Sequence, residues 1–164
     1  MHGEPAEPLA CEVVIVTVDQ APILARPRLA QAAVGAWRQV DAAAIRACAA
    51  LPDQMHAVIE TADPARLNRA VAQYKALSEA ALLDAIRRYY ADDLLDAVTR
   101  YTPVWPGVVY RVWQDGYHCL ALYTEASVTR KLIALRDRGI LYADRGLQEG
   151  SLTHASGTTV NHRG

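Results

Sequence analysis

Gln54 and His56 stand two residues apart in the segment Leu51–Pro52–Asp53–Gln54–Met55–His56–Ala57–Val58–Ile59. Pro and Asp make a turn, and the residues after it alternate polar with apolar, so the segment reads as a turn running into a strand. A spacing of two on a strand sends both polar side chains to one face, with Met55, Ala57 and Ile59 on the other. Such a face can hold a ligand. The plainer reading of a lone strand histidine is a hydrogen-bonded structural residue.

The other reactive residue types form no comparable group. Cys11, Cys48 and Cys119 are far apart with no CxxC spacing, which excludes a zinc ribbon and a disulfide scaffold and fits a reducing cytoplasm. There is no Gly-rich phosphate loop, no Ser/His/Asp ordering and no carboxylate pair, so nothing supports a small-molecule enzyme with His56 or His118 as base. Basic residues are nearly all arginine, with Lys75 and Lys131 the exceptions. Arg suits bidentate contact with phosphate. Candidate phosphate contacts are Arg66, Arg69 and Lys75 after the motif, Arg111 on a later strand, and Arg130, Lys131, Arg136 and Arg138 near the end. Trp105, Trp113 and Tyr117 are candidate stacking faces for unpaired bases. The plainer readings are a solvated helix face for the arginines, a GC-rich genome for their abundance, and core packing for Trp113 in an alternating strand.

These residues need a frame. The 164 residues are 52% apolar and 21% charged, enough for one globular domain that folds without a metal or disulfide staple. No apolar run approaches the ~18 residues of a membrane span, and the start shows no secretory signal. Net charge is −1 overall, which argues against a strong non-specific polyanion binder. Residues 1–63 carry −4 and residues 64–164 carry +3, so the basic excess lies in the second part.

Cys11–Val18 is apolar and β-branched, a buried central strand. Pro27 opens a helix in which Leu29, Ala33, Val34, Trp37 and Val40 keep helical spacing. Ala43–Leu51 and Gln54–Thr61 are strands around the Leu51–Asp53 turn. Asp63 caps and Pro64 starts a helix marked by Leu67, Val71, Tyr74, Leu77 and Ala81, whose pattern runs on, with or without a break, to about Val98. Thr102–Gly107 is a loop, Val108–Gln114 a strand, and His118–Tyr123 a second strand or an extended arm. Thr124 caps a final helix from Glu125 to about Arg138. The signal fades after Gly139. This order predicts an α+β, ferredoxin-like β-α-β-β-α-β antiparallel sheet with an added C-terminal helix. The expected division is a loose N-terminus over 1–10, one domain over 11–147, and a flexible tail over 148–164.

The chain resembles the single-tyrosine HUH transposases, and among them the REP-associated tyrosine transposases. That family carries a Met/Leu-Pro-Asp/Glu/Asn-His-x-His-apolar segment, which LPDQMHAVI matches except at one position. Lys75 on the next helix, VWQDGYH at Val112–His118, and YTEASVTRKL at Tyr123–Leu132 follow in the family's order. The resemblance covers about residues 11–147. It implies a cytoplasmic protein acting in DNA transposition on single-stranded or hairpin DNA, with a homodimer as a further possible partner and no membrane. In the family, two strand histidines and a polar residue on the last helix hold a divalent metal, which acts on the scissile phosphate as a Lewis acid. A tyrosine on that helix attacks and forms a phosphotyrosine link.

Against that pattern, Gln54 stands where the first histidine belongs, a poor imidazole replacement but tolerable for Mg²⁺ or Mn²⁺. Ala134 falls at the nucleophile position and Arg138 at the third-ligand position. No shift of register restores a tyrosine. Tyr142 and Tyr123 flank the helix as weak substitutes. The resemblance therefore implies a transposase-like domain impaired in strand cleavage, with Gln54 and His56 as the ligands and Mg²⁺ or Mn²⁺ as cofactor only for any activity that remains. The alternative is a structural or protein-interaction module on the same fold without DNA binding.

Overall fold

Ala10–Val16 alternates its side chains between two apolar environments, and this strand, β1, organises the rest. The computed structural model describes residues 6–61, 63–101 and 108–144. After β1 come α1 (Pro27–Trp37), β2 (Ala44–Leu51), β3 (Gln54–Glu60) and α2 (Pro64–Tyr89). A short helix α3 (Ala91–Leu94), β4 (Thr99–Tyr101) and β5 (Val108–Tyr110) follow. The described chain ends with β6 (His118–Leu122), α4 (Glu125–Arg138) and β7 (Leu141–Asp144). The main sheet has the order β6-β1-β3-β2-β7 and every pairing is antiparallel. Its first four strands are the expected ferredoxin-like sheet; β4 and β5 form a separate two-stranded ribbon inserted before β6.

The two faces of the sheet carry different cores. Cys11, Val13, Ile15, Met55, Ala57 and Ile59 face α1 and α2, where Trp37 and Tyr74 stack with ring centroids 3.9 Å apart. The Tyr74 hydroxyl donates to the Ala33 carbonyl at 3.2 Å, locking the two helices together. Pro64 at the first turn and the Asp63 carboxylate accepting from Ala65 N at 2.9 Å start α2 as the sequence predicts. On the other face, Ala47, Ala49, Val58 and Leu122 receive Val128 and Leu135 of α4. The small side chains of β2 let that helix lie close. Its start is fixed by a capping box between Thr124 and Ser127.

The helical pattern after Pro64 runs on to Val98 with a break at Tyr90, whose φ of −140° ends α2. Other expectations need revision. Only Val108–Tyr110 of the expected Val108–Gln114 strand pairs as a strand; Trp113 makes a single bridge to Thr17. The fading signal after Gly139 conceals β7, which pairs with β2 from Ala50↔Leu141 to Ala47↔Asp144. Gly139 makes this possible: a Cβ there would lie 2.9 Å from the Ala49 Cβ, so only glycine lets the chain turn so close to β2. Trp105 and the tail over 148–164 lie outside the described residues.

Candidate functional site

The register puts Gln54 and His56 on the α4 face of β3. His56 pairs with Val14 on one side and Ala49 on the other, and Ala49 pairs with Tyr142. Directly opposed residues share a face, so His118, Val14, His56, Ala49 and Tyr142 form one cross-strand row. The two polar residues of the motif are thus brought together as their spacing requires. The His56 Nε2 lies 3.0 Å from the Gln54 Oε1.

The sequence reading missed the third member, Glu12 of β1. Its Oε1 lies 3.0 Å from the His56 Nδ1, and its Oε2 lies 2.9 Å from the Lys131 Nζ of α4. Glu12 is only 6% exposed. Burial pushes its carboxyl up, but the hydrogen bonds and charges of His56 and Lys131 outweigh this and hold it below its usual value of 4.5. One signal was available: a lone glutamate in CEVVIVTV is out of place unless a partner neutralises it. If the ring is neutral, Nδ1–H donates to Glu12 and Nε2 must accept from the Gln54 amide N–H₂, turned toward it. If both contacts are to oxygens, the ring is an imidazolium.

These residues do not fit a divalent metal. Beyond Glu12 the site offers one imidazole and one neutral amide, and the carboxylate is already paired with the Lys131 ammonium. Among the described residues no group of three or more His, Cys, Asp or Glu converges to hold an ion. A cation at His56 would face Lys131 across Glu12. The helix residue that reaches the motif is therefore Lys131, one turn before the half-buried Ala134; Arg138 is exposed.

The two substitute tyrosines are not beside the imidazole in the same way. Tyr142 shares the His56 face but lies two strands away, about 10 Å by strand spacing. Its hydroxyl donates to the Asp144 carboxylate at 3.0 Å, and burial together with that carboxylate pushes its pKa upward. Tyr123 is 54% exposed, between β6 and α4.

The candidate phosphate contacts do not form one surface. Arg66 and Arg69 are exposed on α2, on one side of the sheet; Arg130, Arg136 and Arg138 are exposed on α4, on the other. Lys75 is committed internally, its Nζ donating to the carbonyls of Gln114 and Gly116, both at 2.6 Å. Desolvation lowers its pKa, partly offset by Asp115 and Glu79. Arg111 pairs with Asp115 at 2.7 Å. Trp113 is 3% exposed, with its Nε1 donating to the Ser78 hydroxyl at 2.9 Å, so its ring has no open face for a base. Tyr117 is bonded to Asn68. The VWQDGY segment is a loop held against α2.

The fold has solved counterparts. A Deinococcus radiodurans r1 protein, described as "a putative transposase", aligns over 85% of this chain and 97% of its own with a TM-score of 0.51 and 15% identity. A REP-associated tyrosine transposase bound to a REP hairpin aligns over 99% of both chains with a TM-score of 0.44 and 12% identity. No protein-family model and no curated protein matches the chain. The chain has a transposase-like fold. Among the described residues no helix is long and apolar enough to cross a membrane.

Proposed function

We propose that this chain is a transposase-like protein that binds hairpin or single-stranded DNA on its α4 face and does not cleave it. The observation that carries the reading is the Glu12–Lys131 pair beneath α4. A salt bridge occupies the ground between the Gln54–His56 face and the helix, where the resembling family needs a metal and a tyrosine. Strand cleavage by that route needs a nucleophile within about 3–3.5 Å of the phosphate. Ala134 supplies none, and the Tyr142 hydroxyl is turned to Asp144. Binding needs neither. The exposed guanidiniums of Arg130, Arg136 and Arg138 suffice to contact phosphates, and their apolar counterparts on the helix anchor them to the sheet.

The test is fluorescence anisotropy of a labelled hairpin with a single-stranded tail, titrated in salt. The triple variant Arg130→Ala/Arg136→Ala/Arg138→Ala should weaken binding and flatten the slope of log K against log salt by about 2–3. Arg66→Ala/Arg69→Ala, on the other side of the sheet, should leave it unchanged. The same DNA incubated with Mn²⁺ should give no covalent adduct on a denaturing gel. Salt-insensitive binding, an equal loss in both variants, or an adduct overturns the reading. The interaction-module alternative draws support from edge strand β6, where Leu120 is 54% exposed. A chain that ignores DNA yet elutes as a dimer, and becomes monomeric on Leu120→Lys, would favour it.

A further inference from the structure

Two cysteines meet on the face of the sheet that does not carry His56. Cys11 of β1 and Cys119 of β6 lie on neighbouring strands, in the register Cys11↔Ala121 and Val13↔Cys119. Opposed residues share a face, and so do residues two apart on one strand, so both thiols emerge on the side that carries α1 and α2. They are diagonal neighbours, and their side chains interact. Cys11 is buried, while Cys119 is exposed on the outer strand of the sheet. Cys48 shares the face but not the pair. Its row runs Cys48–Ala57–Val13–Cys119, which puts three strand spacings, about 14 Å, between Cys48 and Cys119.

This placement decides what can join the two sulfurs. Diagonal neighbours on an antiparallel pair stand about 7–8 Å apart. A disulfide favours a Cα separation of about 5.5–6 Å and does not close beyond about 7 Å unless the backbone moves. An ion held by both sulfurs adds two metal–thiolate bonds of about 2.3 Å each, and so bridges a gap that a disulfide leaves open. The Cys11 thiol donates to the Thr61 carbonyl at 3.7 Å, which anchors the buried sulfur. Burial and the Cys11 thiol push the Cys119 thiol up to about 11, because two thiolates side by side would repel. A cation between the sulfurs removes that repulsion.

The number of donors selects the ion. A structural zinc takes four ligands, and an iron–sulfur cluster takes four cysteines. Among the described residues no third His, Cys, Asp or Glu joins the pair. Glu12 and His118, adjacent in sequence to the two cysteines, alternate onto the opposite face, where they pair with Leu120 and Val14. Two thiolates without a third donor suit a soft monovalent cation that accepts linear coordination, and thiolate ligands select Cu(I) among such ions.

We propose that Cys11 and Cys119 form a two-coordinate site for a soft monovalent cation of the Cu(I) class, which staples β6 to β1. Two S–H bonds give way to two metal–sulfur bonds, the protons pass to solvent, and no electron changes hands. The cation enters at the outer edge of the sheet, where Cys119 meets solvent. The site stands apart from the DNA-binding reading, and its test uses no DNA. The full chain, reduced and kept anaerobic, is titrated with Cu(I), supplied as its acetonitrile complex, in competition with the coloured chelator bicinchoninate. One Cu(I) per chain should leave the chelator. Cys119→Ser, at an exposed position, and Cys11→Ala should each weaken binding about 100-fold or more, with the unfolding temperature recorded to show that each variant is folded. Cys48→Ala should leave the affinity unchanged. X-ray absorption of the loaded chain should show two sulfur neighbours and no nitrogen, and bound Cu(I) should protect Cys119 from iodoacetamide. Binding that survives in Cys119→Ser, that needs Cys48 or a histidine nitrogen, or that joins two chains into a dimer overturns the site. So does retention of all the Cu(I) by the chelator. A Cys11–Cys119 disulfide formed within one chain at once on adding diamide also overturns it, because the sulfurs would then meet without an ion.

Discussion

Replacing Lys131 by Met removes the ammonium bonded to the buried Glu12 carboxylate while keeping most of the apolar stem. The Glu12 side chain is 8% exposed and the Lys131 side chain 28% exposed. Breaking a fully buried pair by deleting one partner costs about 3–5 kcal/mol. Water can reach the partly exposed lysine position, and Glu12 keeps His56, so the loss here should be about 2 kcal/mol. For a chain of this size that lowers Tm by about 4–8 °C. The pH profile is the sharper readout. The folded Glu12 carboxyl is held below its usual 4.5, so its stabilising contribution is complete above that value and is lost as pH falls through the lower folded value. In Lys131→Met one lowering partner is gone and burial remains, so the folded pKa rises. The gap in Tm between the two proteins should be greatest near neutrality and narrow as the pH falls below 4.5 through the parent's lower folded value, where Glu12 becomes protonated in both. Glu12→Gln added to Lys131→Met removes the stranded charge and should recover part of the loss. Thermal unfolding by circular dichroism from pH 3 to 8 measures all of this. A variant within 1 °C of the parent at pH 7 (about 0.3–0.5 kcal/mol) would refute the latch. So would a gap that does not narrow at all on acidification.

Gly139→Ala should cost about 1–3 kcal/mol, because the new methyl would lie 2.9 Å from the Ala49 Cβ and 3.0 Å from the Leu135 carbonyl. Faster hydrogen exchange along β7 should accompany the loss, and an unchanged Tm would contradict the close approach. Trp113→Phe should lose about 1 kcal/mol with the Ser78 hydrogen bond while leaving the salt slope of hairpin binding intact. A flattened slope at unchanged Tm would show that the indole contributes to the phosphate contacts after all. Burial pushes the Cys48 thiol up to about 12, and Cys11 is buried in the core of the same sheet face. Iodoacetamide at pH 8 should therefore label the exposed Cys119 alone, and slowly, since partial burial and Cys11 push that thiol up to about 11. Stoichiometric labelling of Cys48 in the folded protein, read by peptide mass, would refute its enclosure.

Local signals carried much of the fold. Asp63–Pro64 announces α2 because capping and a fixed φ act within one turn of helix, and Thr124 announces α4 for the same reason. The alternation in Gln54–Ile59 gave the facing of Gln54 and His56, since a strand's period is a property of its own backbone. What the sequence hid depends on partners distant along the chain. Leu141–Asp144 is too short to be recognised as a strand until β2 offers an edge to pair with. Val108–Gln114 alternates convincingly, yet past Tyr110 its groups bond Glu79, Ser78 and the end of β1 instead of continuing the pairing with β4.

The sequence by itself determined the succession from β1 to α2 and the place of α4, the caps, and a polar pair on one face of β3, because each is set by residues within a few positions of one another. Only the tertiary structure decided what that pair meets. Glu12 and Lys131 are 119 positions apart, and nothing in local spacing says that a carboxylate of β1 and an ammonium of α4 will neutralise each other beside His56. It also decided that the arginines of α2 and α4 lie on opposite sides of the sheet, that the half-buried Lys75 is tied to the Gln114 and Gly116 carbonyls, and that Trp113 is buried. Charge and shape complementarity are relations between surfaces, and those surfaces exist only once the chain has closed on itself.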